Sequence, residues 1–259
     1  MSFLAGKAAT IAAASSLAGV AATSTYLFVR RHANNHPKLR LTYLDMKGVA
    51  EPIRLALAIG SIPFEDRRVG YDEIASMRAA GELPFSQLPL LDIGNARHAQ
   101  SNALLRWAGA RAGLYPDRLR LEIDSALEQM ADIQKAMTPL WYHNALSRSP
   151  ASGSLYEATA LSGEQLDGAK RALNSDLLPV RFGQLERLVT HSGGPFLTGE
   201  HLTIADLTCH VMVDGILDGS YCDGVSPSVL DECEQLRALS TTLARHPKVV
   251  EWNARVEQT

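Results

Sequence analysis

With 259 residues and 46% hydrophobic composition, the chain can bury a substantial core as one large domain or two small ones. A net charge of −3, with no Lys/Arg cluster interleaved with aromatics after residue 40, excludes the basic footprint of a nucleic-acid-binding protein. Three cysteines without C-x-x-C spacing and eight scattered histidines match neither a zinc-ligand pattern nor a redox pair, so no metal is expected and the thiols suit a reducing compartment.

In chain order, residues 8–29 carry no charge, and the first acidic residue is Asp45. The basic stretch "RRHANNHPKLR" follows, so residues 1–37 stand apart as a hydrophobic segment with its linker. From residue 38 short elements alternate. "LRLTYL" has the apolar/polar alternation of a strand, and "AEPIRLALAIG" that of a helix with Pro in its first turn and Gly at its stop. "FEDRRV" reads as a second strand, "YDEIASMRAAG" as a short helix, and "PLLDIGNARHAQ" as a hairpin turning at Gly-Asn. "SNALLRWAGARAG" is a helix expected to start on Ser101 as N-cap and to end on Gly113. The order β-α-β-α-β-β-α over residues 38–115 resembles a thioredoxin-like domain.

Residues 116–259 read as an all-helical domain. "DRLRLEIDSALEQMADIQKAMTPLW" and "LDGAKRALNSDLLPVRFGQLERLV" repeat apolar residues every three to four positions, the second with a kink expected at Pro179. Between them the Ser-, Ala- and Gly-rich stretch 144–163 reads as a loop. Thr203 and Asp206 are spaced as a helix-capping pair ahead of a nearly continuous apolar helix, the expected centre of this half. "HPKVVEWNARVEQ" is a final amphipathic helix.

"LPFSQLPLLDIG" puts Pro89 directly before an apolar strand. Pro cannot donate to a ladder, so it belongs at the strand's first residue. A cis Leu88-Pro89 bond would turn the backbone N–H and C=O of Leu88 outward, where an extended ligand can pair with them; an ordinary loop proline is the alternative.

Together, "LTYLDMKGVAEPIR", "PFSQLPLLD", the Gln-Ser pair at 100–101 and "GPFLTGEHLTIADLT" resemble a cytosolic glutathione transferase, nearest the sigma class and its glutathione-dependent prostaglandin D synthases. The resemblance runs from about residue 38 to the end. It implies glutathione as co-substrate, held by Tyr43, Arg78, Gln87, Leu88, Pro89, Gln100, Ser101 and Asp132. Tyr43 is then the catalytic group that keeps the glutathione sulfur as thiolate. Leu88 and Pro89 would present backbone to the cysteinyl unit, and Gln100 and Ser101 would hold the γ-glutamyl end at a helix start. Gln87 and Arg78 would reach the tripeptide backbone and glycyl carboxylate. Asp132 would reach the γ-glutamyl amine bound to the partner subunit of a homodimer. Two positions depart from the sigma pattern: Val49 and Ile74 stand where many relatives have Arg and Trp. Arg54 lies a helix turn further on, placed to pair with Glu51 at i, i+3.

The implied activity is attack of activated glutathione on a small, hydrophobic electrophile, as in detoxification. A glutathione-dependent isomerase or peroxidase, or a non-catalytic binding or structural protein of the same fold, are the alternatives. Met130, Met137, Trp141 and Tyr142 are candidate linings for the second substrate. The 22 uncharged residues at 8–29 are long enough to span a membrane. The excess of Arg30, Arg31, Lys38 and Arg40 over Lys7 would put the catalytic domain on the cytoplasmic side. A transit peptide cleaved in a mitochondrion or plastid, or a secretory signal, are the other readings of that segment.

Overall fold

The sheet forms around β1 (Leu39–Leu44), whose alternate residues Leu39, Leu41 and Tyr43 enter the larger apolar cluster. The computed structural model describes residues 37–148 and 161–256, without the side chains of Tyr142 and residues 144–148. After β1 the chain makes a 3-10 turn at Gly48–Ala50 and enters α1 (Glu51–Ile59), with Pro52 in its first turn. β2 (Glu65–Val69) returns parallel to β1, pairing Tyr43 with Arg68. α2 (Tyr71–Ala79) leads to β3 (Leu90–Ile93), antiparallel to β1 with Thr42 opposite Leu90. The turn at Gly94-Asn95 then leads into β4 (Ala96–Ala99). The sheet order is β2-β1-β3-β4, so β1 is bonded on both sides and Leu41 and Leu91 are fully enclosed.

α3 (Ser101–Ala112) ends on Gly113 in the left-handed conformation, as expected. Its start differs from the sequence reading. β4 runs to Ala99, so Gln100 alone makes the bend, at φ +78°, and becomes the N-cap without a side-chain capping bond. Ser101 is the first helical residue and caps nothing.

α4 (Arg120–Arg148) passes through Pro139 and continues over 144–148, where a loop was expected; extending a formed helix takes only one residue's ordering per added bond. Residues 149–160 lie outside the described residues. α5 (Gly163–Arg171) opens on a capping box in which Ser162 N–H donates to Gln165 Oε1 at 2.9 Å. A kink was expected at Pro179; there the chain begins a new helix, directly after a π-helical turn at Ala172–Leu177. α6 (Leu178–His191) then starts with Pro179 in its first turn, where a missing N–H leaves no bond unmade.

α7 (Ile204–Leu217) is the centre of the helical half, with twelve of its residues buried. Its capping pair is as expected. Buried Asp206 accepts from Thr203 N–H at 2.7 Å, Thr203 Oγ1 at 2.8 Å and Leu197 N–H at 2.8 Å, while burial raises its carboxyl to about 6. α8 (Glu234–Ala244) and α9 (Pro247–Val256) close the fold. Trp252 of α9 donates from Nε1 to Glu51 at 2.8 Å and stacks on Phe64 at 5.5 Å, tying the last helix to the sheet half.

The expected membrane association is corrected. Among the described residues no helix is long and apolar enough to cross a membrane. The longest, α4, carries charged residues from Arg120 through Asp132 and Lys135 to Arg148. The segment 8–29, on which both the anchor and the cleaved-peptide readings rested, lies outside the described residues.

Candidate active site

Tyr43 sits at the C-terminal end of β1, 9% exposed. The chain folds straight back over its phenol. Gly48 has φ +46°, and a Cβ built on it would stand 2.6 Å from Tyr43 Oη. Only glycine combines that conformation with so close an approach. The loop before Gly48 is pinned from below by Arg54 of α1, which is fully buried. Arg54 Nη1 donates to Met46 O at 2.8 Å and to Glu51 at 3.0 Å, and Nε donates to Asp66 at 2.9 Å. Its Cζ lies 5.8 Å from the Tyr43 ring centroid. The Glu51 pair was legible in the sequence; the approach to Tyr43 was not. The available signal was an Arg inside the apolar run "PIRLALAI", since a buried charge requires partners.

The sheet topology brings further candidates to the same end. Thr42 faces Leu90, so continuing the register puts Pro89 and Leu88 beside Tyr43 and Leu44, the last residues of β1. Their peptide bond is cis. Neither backbone group of Leu88 bonds to another backbone group among the described residues. Leu90 faces Ala99, so Gln100 and Ser101 emerge at this end too. Arg78 Nε donates to Ser86 O at 3.0 Å and so steadies the loop that carries Gln87 and Leu88. Asp132 is apart from this group. It is exposed on α4, 3.9 Å from Arg181.

A small pocket opens beside this end of the sheet, against Gly48 and the start of α3. Gly48, Val49, Ser101, Gln134, Thr208 and Tyr221 are among its walls. The lining expected from α4 is corrected in part. Met130 and Met137 are fully buried in the core, because they fall on the inner face of α4. Trp141 acts indirectly, donating from Nε1 to Tyr221 O at 3.1 Å. The Tyr142 side chain is outside the described residues. Ile74 is core, packed with Val69, Met77 and Leu90. Sequence reading missed Gln134, Thr208 and Tyr221, whose convergence depends on long-range packing.

Chemically, the chain's own thiols are poor nucleophiles here. Cys209, Cys222 and Cys233 are all buried, and burial pushes Cys222 up to about 12 and Cys233 up to about 11, with Cys209 raised further. Thiol chemistry at this end of the sheet therefore calls for an external nucleophile, beside the Tyr43 phenol packed under Gly48.

Residues 149–255 match the family described as the C-terminal domain of glutathione S-transferase. Over 181 residues the chain is 31% identical to glutathione S-transferase 2 of Manduca sexta, a match covering 69% of this chain and 78% of that protein. The chain belongs to the glutathione S-transferase family. It is a transferase, and glutathione is its co-substrate. It is also 29% identical over 224 residues to glutathione S-transferase P of Caenorhabditis elegans, covering 82% of this chain and 89% of the relative. Among solved structures, prostaglandin synthase D of Nilaparvata lugens shares the fold, with a TM-score of 0.69 at 20% identity over 84% of this chain and 98% of the other. The Pi-class glutathione S-transferase of Onchocerca volvulus gives a TM-score of 0.65 at 25% identity, covering 85% and 94%. The glutathione transferase fold, a mixed sheet followed by a helical C-terminal half, accounts for the arrangement described above.

Proposed function

We propose that Tyr43 donates a hydrogen bond from its hydroxyl to the sulfur of glutathione, keeping it as thiolate for attack on a small electrophile with a hydrophobic body. The observation that carries this reading is the phenol under Gly48, at the end of the sheet where Leu88 and the start of α3 also emerge. A free thiol has a pKa near ~8.5, and lowering it by ~2 units takes ~2.7 kcal/mol, within reach of one or two hydrogen bonds to a charged sulfur. Tyrosine suits the task because its O–H stays a donor at neutral pH. Val49 gives the thiolate no positive charge at the position where many sigma-type relatives have Arg, so Tyr43 carries the larger share.

In the same reading, residues 38–115 are the glutathione-binding domain and 116–259 the helical domain that completes the second-substrate cleft. Leu88, freed by cis-Pro89, pairs with the cysteinyl backbone, and Gln100 and Ser101 take the γ-glutamyl carboxylate at the N-terminus of α3. Gln87 and Arg78 serve the glycyl end. The sigma-class resemblance belongs here as well, and isomerase or peroxidase chemistry would draw on the same thiolate. Retention of the full chain on immobilised glutathione, together with turnover of an electrophile panel, tests the reading. Retention with no turnover of any electrophile, hydroperoxide or endoperoxide would make this a binding protein on the same fold.

Ser101→Ala separates binding from folding. Losing one hydrogen bond of about 1–2 kcal/mol raises the glutathione KM by roughly 5- to 30-fold. The thermal midpoint stays within ~2 °C, because Ser101 makes no cap. An unaltered KM removes Ser101 from the site.

We also propose a two-fold homodimer, with Asp132 acting at the partner subunit's glutathione. Phe85, 60% exposed in the loop beside Gln87, offers the apolar surface such a contact requires. Light scattering is expected to give twice the 28.1 kDa of one chain. A fully active monomer would contradict it.

A further inference from the structure

Glu51 is a buried acid with no part in the chemistry described above, and its two carboxyl oxygens serve different halves of the fold. Oε1 accepts from Trp252 Nε1 of α9 at 2.8 Å. Oε2 accepts from Arg54 Nη1 at 3.0 Å. Trp252 is itself 6% exposed and stacks on Phe64, the residue that leads into β2, so its indole N–H reaches Glu51 from a fixed seat. A carboxyl oxygen left in the core without a donor is costly, so the place of Glu51 depends on both partners.

Arg54 carries this contact to the Tyr43 end of the sheet. Nη1 also donates to Met46 O at 2.8 Å and to Lys47 O at 3.3 Å, and Nε donates to Asp66 at 2.9 Å. Nη2 meets no acceptor among the described residues, so these bonds and the one to Glu51 fix the guanidinium. Met46 and Lys47 directly precede Gly48, whose backbone covers the Tyr43 hydroxyl. A second tie from the same loop to the helical half, Lys47 Nζ to Asp214 at 3.1 Å, is half exposed, and ion pairs of that kind hold little. The buried route through Glu51 is the firmer one. A reacting group keeps its full effect only when held to within about 0.5 Å, and the residues behind it supply that precision.

We infer that Glu51 is a positioning residue for the thiolate site, through which Trp252 of the last helix holds the loop over the Tyr43 hydroxyl. This rests on the proposed role of Tyr43 and adds what fixes that hydroxyl in place. With the indole N–H gone, Glu51 Oε1 has no donor, the carboxyl group turns, and Arg54 no longer holds Met46 O and Lys47 O where they were. The loop shifts at Gly48, and the hydroxyl moves off line from the sulfur. A misaligned hydrogen bond is weakened without being removed, so part of the stabilisation of the thiolate is lost.

The test follows the ultraviolet absorbance of bound glutathione thiolate against pH, with the full chain. Trp252→Phe is expected to raise the ionisation midpoint of the complex by about 0.5–1 unit over wild type. Below the midpoint kcat/KM then falls by about 3- to 10-fold. Glu51→Gln keeps the volume but puts an amide nitrogen where one oxygen accepted; it raises the midpoint by a similar amount and decides the matter should the first variant fail to fold. Phe64→Leu is the control. It loosens the seat of Trp252 without removing its N–H, so the thermal midpoint falls by roughly 2–4 °C, as for Trp252→Phe, while the ionisation midpoint stays within ~0.2 unit of wild type. An unchanged ionisation midpoint in either folded variant, Trp252→Phe or Glu51→Gln, overturns the inference. So does a Phe64→Leu midpoint raised as far as that of Trp252→Phe, which would reduce the effect to general loosening. A wild-type midpoint equal to that of free glutathione overturns the Tyr43 reading itself.

Discussion

Tyr43→Phe lowers turnover by about 10- to 10³-fold while the glutathione KM stays within ~3-fold. The asymmetry follows from what the hydroxyl touches. In the proposed site it acts on the sulfur, whereas the backbone of Leu88 and the start of α3 would bind the rest of the tripeptide. Phe retains the ring packed among the buried residues of the larger core cluster, so the fold should be undisturbed. A thiol left with its free pKa is only a few per cent thiolate at neutral pH, which accounts for the lower bound; loss of transition-state stabilisation accounts for the upper one. Steady-state kinetics with saturating electrophile measure it. An unchanged kcat would move thiol activation to a group other than the Tyr43 hydroxyl.

Asp206→Ala should have the largest effect on stability, about 3–5 kcal/mol. The carboxylate takes three hydrogen bonds at the head of the central helix, and all three donors are buried with it. Truncation leaves the buried Leu197 N–H and Thr203 N–H without the acceptor they share, in addition to a cavity. For a domain of this size the thermal midpoint falls by roughly 6–20 °C. Asp206→Asn keeps one acceptor and the volume, so it should recover part of the loss. A scanning-calorimetry shift under ~2 °C for the alanine variant would mean that the capping pair holds little of the fold.

The elements of this fold were legible because their signals are local. "LRLTYL" alternates, "EPIRLALAI" repeats with helical period, and Thr203 and Asp206 have the spacing a helix start needs. Of the candidate site, only Pro89 before a strand was legible from a local motif; the part given to Tyr43 came from the resemblance as a whole, since a tyrosine at a strand end by itself reads as packing. Ser101 misled because serine before an apolar run is the usual mark of an N-cap. Here β4 extends to Ala99, and Gln100 takes the cap position through its backbone. Met130 and Met137 misled for the opposite reason: residues with a helical repeat can face core or cleft, and the sequence does not say which face of α4 the cleft lies on. Tyr221 could not have been found locally. Its place is set by Gln134, which donates to its hydroxyl at 2.9 Å, and by Trp141, which donates to its carbonyl at 3.1 Å, 87 and 80 positions away in the chain.

The central claim is that the fold holds the glutathione sulfur as thiolate through the Tyr43 hydroxyl. It is tested most directly by following the ultraviolet absorbance of the thiolate in the enzyme–glutathione complex as pH is raised, with wild type and Tyr43→Phe side by side. The wild-type complex should ionise with a midpoint about 2 units below the ~8.5 of a free thiol, and the Tyr43→Phe complex with a midpoint close to the free value. A wild-type midpoint equal to that of free glutathione, with the ligand demonstrably bound, would contradict the account.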